Sequence, residues 1–389
     1  MKRNISIIYA TSALTWGRFF VPVLALFYIA SQVPIEQFAI IMSIFALVIL
    51  VLEIPSGVLS DLLGKKRTLL LSRLSYIVEI VILAFFNSFW PFLIAKIISG
   101  VGVSLSSGTT SGILYDTLKK LGREKENKKV YGSVMSVQSI AMAIVFVIGA
   151  FLFSIDPKLP AILSLPFVTA TFLLTFFLKE PYVSKKKVNL KNAFNHLKEG
   201  LIYTYNHNQV KFLVMYFLSI ITITGIVHSL SSAYYEFVMI PIEFIGIFAF
   251  AAAMVAAIAA KKAHSFERYF GNKSFVAISI IMLLTLFLLT LSIPILGALC
   301  ILLISFGGRL TRVLVEDGVN KRVETSHRVT ILSIKNMGSN LAIFILFPIT
   351  GFLIKDYTMQ MGMMFLLGFF IVFTSLLTLY ARKISLRKK

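Results

Sequence analysis

Charged side chains occur inside segments of this chain that are otherwise apolar. A charge at the centre of a membrane-spanning helix costs about 2.5–3.5 kcal/mol on insertion scales, so it needs a partner or a hydrated internal cavity. Glu53 and Glu79 are the acids that we expect to bind and release a proton, because burial favours the neutral form of a carboxyl group. The alternative is a structural ion pair, of Glu53 with Arg73 or of either acid with Arg18.

The composition is that of a membrane protein. Of the 389 residues, 58% are hydrophobic and 14% are charged, and the mean hydropathy is +0.87, whereas soluble domains carry about 25% charged residues. Apolar runs long enough to cross a hydrocarbon core about 30 Å thick recur along the whole chain. They predict an all-α membrane protein with about twelve transmembrane helices. The predicted spans are 6–30, 37–60, 68–87, 90–116, 130–154, 159–178, 211–235, 240–260, 274–293, 294–317, 329–354 and 361–380.

The cations are distributed unevenly along a chain whose formal net charge is +21. They concentrate in alternate loops, and only Lys158 and Lys355 fall in loops on the other side, which is the positive-inside pattern. It predicts a multi-pass protein of the bacterial plasma (inner) membrane with both termini in the cytoplasm. It also explains the charge without nucleic acid as a partner. The inner loops are placed to contact anionic membrane lipids.

The longest polar stretch divides the chain into two parts of similar size. We predict a six-helix bundle over 1–178, a cytoplasmic linker over 179–210 and a second six-helix bundle over 211–389. Within the linker, apolar residues at helical spacing from Leu190 to Leu201 predict an amphipathic helix at the inner membrane surface.

Gly57, Asp61, Gly64, Lys65 and Lys66 lie in the turn between the second and third predicted spans. Glycine permits a close helix approach or a positive φ, and an acid in such a turn can accept hydrogen bonds from a helix N-terminus or pair with a cation. A Gly, an Asp four residues on, a Gly three residues further on and then basic residues resemble the signature loop of the major facilitator superfamily of secondary transporters.

A second, shorter resemblance to that family lies in the fourth predicted span. Lys96 is followed by Gly100 and Gly102, where the family pattern has Arg followed by the two glycines. Lys lacks the bidentate fork of Arg. The resemblance covers the whole chain in topology and two short motifs in residues. It implies two pseudo-symmetric six-helix bundles.

The resemblance also implies where ligand and coupling residues lie. In the family, helices 1, 4, 7 and 10 line the central cavity, and here each of these helices carries an ionisable side chain. Together with two intramembrane acids and a lysine of the eleventh span, they form the predicted substrate-binding or coupling set: Arg18, Glu53, Glu79, Lys96, His228, Arg309 and Lys335. So basic a cavity would favour an anionic solute, unless each cation pairs with an acid on another helix.

The signature loop is expected to act as a conformational latch that holds an inward-closed state, with Asp61 ionised and paired. Acids at inner helix ends are predicted to pair with Arg73, Arg309 or Arg312 in that state. The predicted latch residues are Gly57, Asp61, Gly64, Lys65, Lys66, Arg73, Asp116, Glu316 and Asp317.

These observations favour a secondary transporter that moves a small-molecule substrate by alternating access with protons as the coupling ion. The first interpretation is export of an amphipathic drug or metabolite, and the rival is import or export of an anionic metabolite or carboxylate siderophore. A membrane sensor or lipid-moving protein is the alternative of another class. The sequence has neither an ATP-binding GxxxxGK[ST] loop nor a His/Cys cluster with metal-ligand spacing, so we expect no enzyme activity, no metal and no cofactor.

Overall fold

The computed structural model describes residues 1–182 and 190–386, and α-helices form nearly all of that part. They are α1 (Lys2–Leu14), α2 (Leu24–Ala30), α3 (Ile35–Leu63), α4 (Lys65–Phe85), α5 (Phe89–Ser106), α6 (Thr109–Lys120), α7 (Asn127–Ile155), α8 (Leu159–Phe176), α9 (Leu190–Asn206), α10 (Asn208–Phe237), α11 (Ile242–Phe270), α12 (Ser274–Thr290), α13 (Pro294–Arg322), α14 (Thr325–Asp356) and α15 (Met359–Leu386). Short 3-10 helices lie at Val21–Val23, Glu124–Glu126 and Gly271–Lys273.

Ten helical segments of the described residues are long and apolar enough to cross a membrane, and one of them, Phe89–Lys120, combines α5 and α6. Two shorter apolar segments, Val21–Ala30 and Ser274–Thr290, coincide with parts of the first and ninth predicted spans. The prediction of an all-α membrane protein with about twelve membrane helices is therefore confirmed. A helix is also found where the amphipathic linker helix was predicted, at Leu190–Asn206.

The prediction of a continuous first helix is wrong. Residues 15–20 lie outside helices, between α1 and the following 3-10 turn. Gly17 packs so closely on Phe167 that an added Cβ would overlap with that ring, and Pro22 has no N–H to donate to a helical hydrogen bond. Arg18 therefore lies in an irregular stretch of backbone rather than in the middle of a helix.

The fourth predicted span is also interrupted. α5 ends at Ser106 and α6 begins at Thr109, and Gly108 between them has a φ of +72°. Glycine reaches that conformation without the steric penalty of a side chain. The span is consequently two helices joined by a turn.

The described residues form two compact units. The first unit is built from Met1–Val33, Ile44–Ala193 and Ile242–Phe250, and the second from Pro34–Ser43, Phe194–Pro241 and Ala251–Lys389. The predicted halves differ from these units, because the first part of α3 groups with the second unit and the first part of α11 with the first.

Local contacts explain this exchange of helix ends. In the second unit, Ser43 Oγ donates a hydrogen bond to the carbonyl of Phe344, and Glu36 lies 3.6 Å from the Nζ of Lys355. In the first unit, Gly246 approaches the backbone of Phe146 so closely that an added Cβ would lie 2.5 Å from its carbonyl oxygen. Small residues permit such close helix packing in a membrane.

Candidate functional site

A buried ionic cluster lies inside the first unit. Glu79 of α4 is fully buried, and its Oε1 accepts a hydrogen bond of 2.9 Å from the Nζ of Lys96 on α5. Its Oε2 pairs with the guanidinium of Arg18, from the irregular stretch after α1. Two cations therefore share one carboxylate, and the cluster has a net charge of +1.

Aromatic rings cover the two cations of this cluster. The guanidinium carbon of Arg18 lies 4.8 Å from the ring centroid of Tyr76, and the Nζ of Lys96 lies 5.3 Å from that of Phe45. The Phe20 ring contacts both cations, at 5.6 and 5.9 Å. Ring faces attract cations, so they replace part of the hydration that burial removes. The two cations balance the charge of the Glu79 carboxylate beside them.

Of the two partners predicted for Arg18, the structure supplies Glu79. Arg73 behaves differently, because it makes no ion pair in the described part of the chain and its Nε has no hydrogen-bond acceptor. The predicted pair of Arg73 with Glu53 is therefore not formed. Glu53 lies on α3 in the same unit and is half-buried.

A cavity of about 470 Å³ lies beside the cluster. It is bordered by the irregular stretch after α1, by α4, by the turn between α5 and α6, and by α7. Its lining residues are Ser12, Thr15, Trp16, Arg18, Arg73, Tyr76, Val103, Ser106, Gly108, Thr110, Ser111, Tyr131, Met135 and Gln138. The two helix interruptions thus open a space that is lined by aromatic, hydroxyl and amide groups and by two arginines.

Both arginines line this cavity, and each has an unsatisfied buried donor. Arg73 is 7% exposed, and its guanidinium lies 5.8 Å from the ring centroid of Tyr76. The Nε of Arg73 and the Nε of Arg18 are both buried without an acceptor. Buried donors are normally paired, so unpaired ones require an explanation.

The signature loop is built around Gly64, whose φ is +87°. Glycine adopts this conformation without strain, and α4 begins at the next residue. Lys65 pairs with Asp116 of α6, so the structure replaces the arginine partners predicted for Asp116 by a lysine of the loop itself. Asp61 is exposed and forms no ion pair within the described ranges.

Glu180 is a functional candidate that sequence reasoning missed. It follows α8, and its carboxylate oxygens accept hydrogen bonds from the backbone N–H groups of Lys65 (3.1 Å) and Lys66 (2.7 Å). These first N–H groups of α4 have no partner within the helix, and negative charge is favourable at a helix N-terminus. The available signal was an acid just after the sixth span, followed by Pro181.

The segment around Glu180 is itself held in place. The side chain of Asn4 forms a reciprocal pair with the backbone of Lys179, donating to its O at 2.7 Å and accepting from its N at 3.0 Å. The Nζ of Lys120 donates to the O of Pro181 at 2.9 Å. α1 and α6 therefore both fix the segment that caps the signature loop.

A second ionic cluster lies in the second unit. Lys335 of α14 is 1% exposed, and its Nζ donates a hydrogen bond of 2.8 Å to Glu316 of α13. The ring centroid of Phe217 lies 4.0 Å from that Nζ and 5.5 Å from the guanidinium carbon of Arg312. The side chain of Glu316 is 43% exposed. The arginine partner predicted for Glu316 is thus replaced by a buried lysine.

The other predicted residues of the second unit make separate contacts. Asp317 pairs with Lys321 on the surface of α13, again instead of a predicted arginine. The Nε2 of His228 lies 3.1 Å from the Oγ of Ser305, and Arg309 is exposed. Within the described residues, no three His, Cys, Asp or Glu side chains lie close enough to hold a metal ion.

Comparison with known proteins places the chain in a large family. Residues 5–315 match the Major Facilitator Superfamily. The tetracycline resistance protein, class B, of Escherichia coli is 23% identical over 156 residues, which are 40% of this chain and 38% of that protein. The chain thus spans about two-fifths of the length of this curated relative.

Solved structures share the fold over almost the full length. The nucleoside transporter NupG has a TM-score of 0.80 at 13% identity, covering 97% of this chain and 98% of its own. The human organic anion transporter MFSD10 (TETRAN) has a TM-score of 0.62 at 16% identity, covering 97% and 99%. Identities this low establish the fold alone. The family match, by contrast, covers most of the sequence, including the signature loop and the first ionic cluster, and the chain therefore belongs to the Major Facilitator Superfamily of membrane transporters.

Proposed function

We propose that this transporter moves a small amphipathic solute by alternating access and works as a proton-driven exporter. The observation that carries the proposal is the cavity of about 470 Å³ in the first unit. Its volume falls in the range of about 300–1,000 Å³ that is usual for small-molecule sites. Trp16, Tyr76 and Tyr131 supply apolar surface to it, and Gln138 supplies an amide.

Export as the direction of transport is supported by the similarity to a tetracycline resistance protein over two-fifths of the chain. The structures that share the fold are named as transporters of a nucleoside and of organic anions. The shared fold consequently does not determine which solute is transported. Selection rests on the side chains that line this chain's own cavity.

Proton coupling is proposed to act through Glu79. Arg18 and Lys96 stabilise its carboxylate. Export driven by a proton gradient requires the solute and the proton to bind in alternation. Arg18, which contacts Glu79 and lines the cavity, is proposed to link the two events.

The signature loop is proposed to control the exchange between states. Glu180 and Asp116 hold Lys65 in place, whereas the exposed Asp61 is free to pair with a cation in the inward-closed state. The Asp61→Asn protein is expected to fold and insert normally, because Asp61 makes no ion pair within the described residues. It should transport slowly, because its neutral side chain cannot form an ion pair in the inward-closed state. Transport at the wild-type rate by that variant would remove the latch role.

Purified protein in liposomes tests the transport proposal. Tetracycline, ethidium, uridine and p-aminohippurate serve as probes, with an imposed pH gradient as the driving force. We expect at least one amphipathic probe to accumulate in the acidic compartment, and a protonophore to abolish the accumulation. Movement of a fluorescent phospholipid between leaflets without movement of any probe would favour a lipid-moving protein, and movement of neither would favour a sensor.

The inner-membrane location with cytoplasmic termini remains a proposal that the charge distribution supports. The chain's single cysteine, Cys300, is buried, so engineered cysteines can be labelled over little background. On intact cells, an impermeant maleimide should label Asp156→Cys, while Lys125→Cys should react only after permeabilisation. Labelling of Lys125→Cys on intact cells, with Asp156→Cys reacting only after permeabilisation, would show the opposite orientation in the membrane.

A further inference from the structure

We infer that the cavity of the first unit binds an oxyanion, the carboxylate or phosphate group of the transported solute, between Arg73 and Arg18. The inference rests on the proposed function and names the chemical class of its substrate. It identifies the amphipathic solute as an organic anion whose charged group lies at the arginines. Its apolar part then lies against the aromatic lining of the cavity.

The balance of charge around the cavity supports this assignment. Arg18 and Lys96 share the single carboxylate of Glu79, which leaves one positive charge in excess. Arg73 adds a second, because it has no ion pair in the described part of the chain. The residues that line the cavity include both arginines and no Asp or Glu. The lining therefore lacks a negatively charged group that could accept hydrogen bonds from the arginines.

The unsatisfied donors point to the same ligand. Arg73 is more than nine-tenths buried, and its Nε has no acceptor. The Nε of Arg18 is buried and lacks one as well. Both guanidinium groups lie on the same Tyr76 ring, at 4.8 and 5.8 Å from its centroid. An oxyanion has several acceptor lone pairs and matches the planar fork of arginine, so one group could satisfy both residues.

The surrounding polar groups fit an oxyanion of modest size. Ser12 and Gln138 supply a hydroxyl and an amide donor to the cavity wall. A neutral solute could use these groups but would leave Arg73 without a counter-charge and the charges of Arg18 and Lys96 balanced by Glu79 alone, and uncompensated buried charge is costly. The arginines thus discriminate against neutral isosteres of the same shape.

The tryptophans allow a direct test without a known substrate. The chain has two: Trp16 lines the cavity, and Trp90 is 69% exposed on α5. Trp90→Phe leaves Trp16 as the sole reporter. We titrate this protein, in a neutral detergent, with benzoate, phenyl phosphate and the neutral isostere benzamide, and follow tryptophan emission.

We expect saturable changes with at least one of the two anions and at least tenfold weaker binding of benzamide. Arg73→Gln in the same background should weaken anion binding at least tenfold, and Arg73→Lys, which keeps the charge but loses the fork, should lie between. Arg268→Gln serves as the matched control, because Arg268 is exposed in the second unit. Its anion affinity should equal that of the parent.

Equal binding of benzoate, phenyl phosphate and benzamide, or an Arg73→Gln protein with undiminished anion affinity, would overturn the inference. Size-exclusion profiles and thermal unfolding check that the variants fold. Removal of an unpaired buried cation should raise rather than lower the unfolding temperature of Arg73→Gln. Anion binding without transport in liposomes would contradict the proposed function and leave this site standing, whereas proton-driven export of neutral probes without anion binding would do the reverse.

Discussion

The two ionic clusters each bury a lysine but differ in the burial of the carboxylate. In the first unit the carboxylate of Glu79 is sealed from water between Arg18 and Lys96. In the second unit the amine of Lys335 is sealed, while its partner Glu316 remains 43% exposed. Both clusters place a cation on an aromatic ring. They differ in which charge can reach solvent.

This difference separates two ways of changing charge in a transporter. A proton from water can reach the exposed carboxylate of the second cluster directly. The sealed carboxylate of the first cluster can change its state only after a cation moves away. The first cluster is therefore suited to respond to a ligand of Arg18, whereas the carboxylate of the second is already open to solvent.

Glu79→Gln should produce the largest loss of stability. The substitution leaves two buried cations without a carboxylate, and breaking a buried ion pair in this way costs about 3–5 kcal/mol. We expect a large fall in the unfolding temperature of the purified protein. Glu79→Gln combined with Lys96→Met, which removes one stranded cation, should recover part of it. An unchanged unfolding temperature in the single variant would show that water reaches this cluster.

Glu316→Gln should have a smaller effect, about 1–3 kcal/mol. Lys335 would remain buried without its carboxylate, but the pair is partly screened by solvent because Glu316 is exposed. Asp317→Asn is the matched control, since its pair with Lys321 lies on the surface of the same helix. The control should change stability by less than about 0.5 kcal/mol. Equal effects of the two substitutions would contradict the contrast between a buried and a surface pair.

Glu180→Ala tests the side-chain cap on the first turn of α4. In the second unit, Lys273, the residue before α12, makes no capping hydrogen bond with its side chain. Loss of both hydrogen bonds to the first turn of α4 should cost about 1–2 kcal/mol, as for other N-terminal caps. Glu180→Gln keeps one acceptor oxygen and should cost about half. Thermal unfolding measures both losses of stability. Variants that unfold at the same temperature as the wild type would exclude the capping role.

Apolar run length was sufficient to predict most helices, but the interruptions were not predicted. The first span was expected to be continuous over 6–30, although Gly17 and Pro22 signal a break in retrospect. Breaks depend on what packs against the backbone, here Phe167 against Gly17, and a neighbour from another span is invisible in a local window.

The ion-pair partners of the charged residues were predicted less well than their positions in the spans. Glu79 was identified as an intramembrane acid and Arg18 was named as a partner, but the role of Lys96 in the same cluster was not foreseen. Glu316 was expected to pair with an arginine and pairs with Lys335 of the next span. Helix rotation and depth decide such pairs, and the sequence specifies neither without the fold.

A third lysine, Lys158, forms no ion pair in the described part of the chain, although Asp156 lies nearby, and it gives the mildest test of the contrast. The Nζ of Lys158 donates to the carbonyls of Leu83 and Phe86 at 2.9 and 2.8 Å, and it lies on the rings of Phe27 and Phe92. Burial lowers the pKa of Lys158 from 10.5 to about 8. Between these values the unfolded chain holds a proton that the folded chain has released, so stability should rise with pH from about 8 to 10.5 and be independent of this group below that window.

Lys158→Gln should remove that dependence. From pH 7 to pH 9 the unfolding temperature of the wild type is expected to rise relative to that of the variant. The rise should be equivalent to less than about 1 kcal/mol, because the amine is half-exposed. Measuring both proteins at each pH cancels the groups that they share. A difference that does not change with pH would mean that the two carbonyls and the two rings stabilise the ammonium as well as water does. Aromatic rings and carbonyls, with Asp156 nearby, would then suffice to hold a half-buried cation without an ion pair. The carboxylates beside Lys96 and Lys335 would then have to be explained by function rather than by stability.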